Sequence, residues 1–76
     1  SEPGRASSST GVTVSMEEAK TLAQAKAPNA TLVEISFDYD DGIPVYEGEL
    51  REGQTEYEFE IDGRNGSFLK WEADHG

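Results

Sequence analysis

Three runs of alternating residues, joined by two very short turns within residues 31–61, constrain this chain more than any other feature it carries. In the first run Val33, Ile35, Phe37 and Tyr39 fall on one side and Glu34, Ser36, Asp38 and Asp40 on the other. That period of two is the mark of a half-buried strand. Asp41-Gly42 is a strong hairpin signal, because a two-residue type I′ turn needs positive φ, which Asp tolerates and Gly adopts freely. With that turn Phe37 faces Tyr46, Ile35 faces Gly48 and Val33 faces Leu50. Taking Glu52-Gly53 as the second turn sets Leu50 opposite Thr55, Gly48 opposite Tyr57 and Tyr46 opposite Phe59. Both registers gather the apolar residues of all three strands on one face. A one-residue slip in either hairpin sends a whole apolar row into water, so the agreement favours a single sheet with one greasy side.

Helix onset is marked at Ser15, whose hydroxyl can cap the Glu18 amide while Glu18 reaches back to the Ser15 amide. Val14 and Ala19 hold the staple positions, and Glu17 and Glu18 suit the positive end of the helix dipole. Met16, Ala19, Leu22, Ala23 and Ala27 then repeat at helical spacing, leaving Lys20, Thr21 and Gln24 outward. Pro28 stops the helix, since the residue before a proline is pushed out of the α region. A helix of about 12 residues is marginal alone and must be held by packing. Its alanine stripe suits close approach to the apolar side of the sheet, where Gly48 leaves room. After a turn across residues 62–66, Phe68, Leu69 and Trp71 read as a fourth strand returning along the third; whether Phe68 or the Leu69/Trp71 pair faces inward depends on the loop. Residues 1–13, with Ser7, Ser8, Ser9 and Thr10 after Pro3 and Gly4, read as flexible linker, residues 14–72 as the folded domain, and residues 73–76 as a frayed tail.

At 76 residues the chain is one small domain, burying about 60% of its unfolded surface. It has no cysteine for a disulfide, a thiol nucleophile or a thiolate ligand, and no apolar run near the roughly 18 residues of a membrane span. Membrane attachment therefore needs a segment outside this chain. A net charge of −10, with six scattered basic residues, disfavours nucleic acid, whose phosphates need clustered Lys and Arg. The only histidine, His75, sits one residue from the end, where nothing holds a catalytic base, and Ser7, Ser8 and Ser9 have no base beside them.

Carboxylates are plentiful, and the registers above place Glu49 opposite Glu56, Glu47 opposite Glu58, and Glu34 beside Glu49 on the outer face. Opposed like charges cost a few tenths to about one kcal/mol a pair. Glu34, Glu47, Glu49, Glu56, Glu58 and Glu60 are thus a candidate docking face for a basic partner, against the plainer reading of a solvated surface. Asp38, Asp40 and Asp41, and separately Asp62 and Asn65, look superficially like calcium loops. Both fail the EF-hand pattern, because counting back from Gly42 or Gly66 puts Phe37 or Ile61 where the first oxygen ligand belongs. Turn chemistry explains them better, and a small cation-binding domain is the competing functional reading. No cofactor site is visible.

Small signals at consistent spacing then resemble a known family. Ser15-Met16-Glu17-Glu18-Ala19 opens a helix and Ala27-Pro28 closes it; Asp40-Asp41-Gly42-Ile43-Pro44-Val45-Tyr46-Glu47 crosses the first hairpin; Glu56-Tyr57-Glu58 and Ile61-Asp62 precede Gly66, Leu69 and Trp71. Over residues 14–72 the chain resembles the PepSY domain. It departs from the usual pattern at Gly48, where a branched aliphatic is common, and at Asn65, where threonine is. The expected fold is α+β, with one N-terminal helix packed on one face of a three- to four-stranded antiparallel meander. The resemblance implies a non-enzymatic protein-interaction module of secreted or cell-envelope bacterial proteins that regulates or inhibits a protease or other hydrolase. No catalytic or cofactor-binding residue carries over. Exposed strand edges leave it a monomer or a weak dimer.

Overall fold

A computed structural model describes residues 12–76. The linker expected over residues 1–13 therefore lies, apart from its last two residues, outside the described residues. From Thr13 on the chain is tied down: the amides of Thr13 and Val14 both donate to the Gly63 carbonyl at 3.0 Å, and the Thr13 hydroxyl donates to the Arg64 carbonyl.

The helix α1, Met16–Lys26, starts as its sequence dictates. Ser15 Oγ accepts from the Glu18 amide at 3.0 Å and Glu18 Oε1 accepts from the Ser15 amide at 2.8 Å, so both halves of the capping box are closed. Val14 and Ala19, the staple pair, are both buried. At the far end Gln24 turns inward rather than outward, its amide group donating to the carbonyls of Ala27 and Ala30. It thereby ties the segment after the helix to its last turn, sharing the Ala27 carbonyl with the Ala30 amide.

Four strands follow, β1 Thr31–Asp40, β2 Ile43–Glu52, β3 Thr55–Asp62 and β4 Phe68–Asp74, in one antiparallel sheet of order β1-β2-β3-β4. The first turn is Asp41-Gly42, with φ of +54° and +80° as a type I′ turn requires. It pairs Phe37 with Tyr46 and Ile35 with Gly48, as the alternation indicates. Beyond that the structure departs from the simple count. Leu32, not Val33, faces Leu50, because a bulge between Leu32 and Glu34 takes up one residue and leaves Val33 50% exposed. Leu32 and Ile35 are three apart, and only an extra residue lets both reach the same face.

The second hairpin is displaced by two residues from the expected register. Glu52 stays in the ladder opposite Thr55, and Gly53-Gln54 form the turn, with φ +62° at Gly53 in the first central position of a II′-like reversal. Leu50 therefore faces Tyr57, Gly48 faces Phe59 and Tyr46 faces Ile61. A shift of two preserves parity, so every side chain keeps its predicted face while its neighbours change.

β4 resolves the choice between Phe68 and Trp71 by taking both. A bulge between Phe68 and Lys70 sets Phe68 against Ile61 and Trp71 against Phe59, expelling Leu69, which is 51% exposed. The strand continues past Glu72, with Ala73 opposite Tyr57 and Asp74 opposite Glu56, where the sequence alone suggested fraying.

The core lies between α1 and the sheet: Ala19, Ala23, Ala27 and Ala30 meet Tyr46, Leu50, Phe59 and Ile61. α1 sits chiefly over β1 and β2. Gly48 serves a different purpose from admitting the helix. A Cβ there would fall 2.7 Å from Phe59 Cζ and 3.0 Å from Ile35 Cα, and closer still to the Glu34 carbonyl. The Phe59 ring from the facing strand fills the place of the missing side chain.

Candidate functional site

Because alternation buries one face, the other collects what the strands must keep wet. Three rows cross the outer side of the sheet. Glu34, Glu49, Glu58 and Glu72 form one; Ser36, Glu47, Glu60 and Lys70 form the next; Thr31, Arg51, Glu56 and Asp74 form the third. All six glutamates singled out from the sequence, Glu34, Glu47, Glu49, Glu56, Glu58 and Glu60, thus lie on this face.

The two-residue displacement of the second hairpin rewrites their partners. Glu49 faces Glu58 rather than Glu56, and Glu47 faces Glu60 rather than Glu58, while Glu34 stands beside Glu49 as expected. Glu56 instead meets a cation: Arg51 Nη2 donates to Glu56 at 2.9 Å and to Glu49 at 3.0 Å. Lys70 reaches Glu58 at 3.4 Å, and that contact, with the field of Glu72 behind it, holds its ammonium pKa above the ordinary lysine value. Arg51, Lys70 and Glu72 belong to the surface but were missed as members of it. The pattern Lys70-x-Glu72 was readable, yet its face could not be assigned until the bulge at Leu69 fixed the phase of β4.

Between the first two rows lies an open depression of about 230 Å3, walled by Glu34, Glu47, Glu49, Glu58 and Glu60 with Lys70 at its margin. Gly48 and Phe59 contribute its floor. Their side-chain positions point to the helix, so only main chain meets the ligand side. Such a concavity, with Ser36 also on its wall, can accept a cationic side chain.

The other candidates have structural employment. Asp62 is buried, accepts from the Arg64 amide at 2.8 Å and from the Arg64 guanidinium at 2.8–3.3 Å, and its pKa is driven below the usual aspartate value by those hydrogen bonds. Asn65 Oδ1 accepts from the Ser67 amide, and Asp38 Oδ1 from the Tyr39 amide, which is turn and strand chemistry rather than a ligand cage. Among the described residues no group of three or more His, Asp or Glu is placed to hold a metal ion. Tyr46 donates its hydroxyl to the Val14 carbonyl at 2.6 Å, and burial, then Glu18, pushes its pKa up. His75 Nδ1 lies 3.3 Å from Thr55 Oγ1. Ser7, Ser8 and Ser9 lie outside the described residues. No helix among the described residues is long and apolar enough to cross a membrane.

The chain is 41% identical over 64 residues to "Uncharacterized protein YkoJ" of Bacillus subtilis (strain 168), an alignment covering 83% of this chain and 37% of that protein. The chain thus corresponds to well under half the length of that relative. No solved structure matches. The model of the family described as "Peptidase propeptide and YPEB domain" matches residues 13–72, the whole helix and nearly all of the sheet. This chain belongs to the PepSY family, a family of propeptide-like regulatory domains.

Proposed function

We propose that this domain is a non-catalytic regulatory module that docks a basic surface of a secreted or envelope hydrolase, a protease foremost, onto the outer face of its sheet. The family match carries the regulatory part of the reading. The choice of face rests on the row Glu34, Glu49, Glu58, Glu72, where like charges oppose one another in a small domain with stability to lose. Lys and Arg from a partner relieve that repulsion, so the cost in the free domain becomes affinity in the complex. The domain works outside the cytoplasm, where such hydrolases act.

The test is titration into a mature thermolysin-like metalloprotease, reading binding by calorimetry and inhibition by substrate turnover. Binding is expected to weaken as salt rises, and to weaken about tenfold or more when Glu34, Glu47, Glu49, Glu58 and Glu60 are changed together to Gln. Tight binding indifferent to both would overturn the choice of face, and neither binding nor inhibition would overturn the regulatory target. The competing reading, a cation-binding domain using the carboxylates of Asp38 to Asp41 or the outer glutamates, has less behind it: Asp38 accepts from the Tyr39 amide, and among the described residues no three carboxylates, the outer glutamates included, are grouped to hold a metal ion.

A further inference from the structure

Among the described residues nothing pairs with the outer edge of β1 or of β4, and the two edges differ in charge. β1 carries Glu34, Asp38 and Asp40 and no basic residue, so a second copy's β1 laid against it opposes acid only with acid or with neutral groups. On β4, Lys70 and Glu72 alternate in sign along the acidic face. Within one molecule Glu72 faces Glu58, a like pair whose one nearby cation, Lys70, is already engaged with Glu58 at 3.4 Å, while Lys70 faces Glu60 in the ladder.

We infer that β4 pairs antiparallel with β4 of a second copy about a two-fold axis at Trp71, joining two four-stranded sheets into one of eight. That register sets Lys70 opposite the second copy's Glu72 and Glu72 opposite its Lys70. It also sets the two half-buried Trp71 side chains against each other, and the exposed Leu69 against the second copy's Ala73. The row Ser36, Glu47, Glu60, Lys70 runs on into the other copy's Glu72, so each lysine gains a carboxylate on its open side in addition to Glu58 and Glu60 of its own chain. Because the axis is perpendicular to the sheet, the two acidic faces become one continuous surface. The strand has seven residues and is bulged at Leu69, and short, bulged edges limit pairing. The dimer is therefore weak and reversible.

Sedimentation equilibrium of the whole chain at 0.15 M salt tests this, because the Debye length of about 8 Å there mutes the long-range repulsion between two chains of net charge −10 but not directly opposed side chains. The expected result is a mass rising from monomer toward dimer as protein reaches the millimolar range. Lys70→Glu and Glu72→Lys each turn two attractive pairs into repulsive ones and are expected to weaken association about tenfold or more; the double exchange restores it. Glu72→Lys also relieves the clash with Glu58, so it remains informative should Lys70→Glu, which loses its contact to Glu58, fail to fold. A monomer at every concentration overturns the inference, as does association that ignores the single exchanges or is not recovered in the double, which would point to another edge.

Discussion

At the scale of the residue, the most constrained position is Gly48. A methyl there collides with main chain of β1 as well as with the Phe59 ring, and main chain cannot swing aside. Gly48→Ala is expected to destabilise the domain by about 1–3 kcal/mol, the usual cost of overpacking, read from the midpoint of urea unfolding at constant slope. Asp62 is constrained by charge instead. Its pKa is lowered in the folded state by the hydrogen bonds from Arg64, so the stability it contributes is fully present above the unfolded aspartate value of about 4 and is lost as pH falls through the folded one. Asp62→Asn should therefore be less stable than the parent at pH 7, with the gap closing below pH 4; a gap independent of pH would show that packing, not ionisation, is what Asp62 supplies.

Among the elements, α1 and the second hairpin are specified by single backbone devices. Removing the cap with Ser15→Ala leaves the Glu18 amide unpaired and is expected to cost about 0.5–2 kcal/mol. Gly53→Ala meets open space but must hold φ near +62°, so about 1–2 kcal/mol of strain is expected with no loss of packing. Native-state hydrogen exchange separates the two: the first should lower protection at the start of α1, the second should loosen β2 and β3 at the turn and leave α1 protected. The edge strands obey a common logic. Each spends one residue in a bulge, exposing Val33 and Leu69, so that two apolar side chains three apart can both face the helix.

For the whole molecule, charge governs behaviour. With −10 on 76 residues the melting temperature is expected to rise with added salt. Glu47→Lys, which turns the Glu47–Glu60 like pair into an attractive one, should stabilise by a few tenths to about one kcal/mol in low salt, with the advantage shrinking as salt screens it. The same change should weaken docking of a basic partner, opposing stability to function on one surface. How much of this was legible without coordinates divides along a physical line. The period of two settled which side chains of β2 and β3 share a face, and the capping pair Ser15 and Glu18 settled where the helix starts, because both depend only on neighbours in the chain; on β1 the bulge overrode the alternation, exposing Val33 and turning Leu32 to the core. Which residues stand opposite one another was another matter. Whether Gly53 opens or closes its turn cannot be read from alternation, since a shift of two leaves every face unchanged, and where β1 and β4 take up an extra residue cannot either, since a bulge breaks the alternation itself. Those choices were made by packing across the sheet, where Phe59 needed the space above Gly48 and Phe68 and Trp71 both needed the core, and they alone fixed which glutamates oppose which on the outer face.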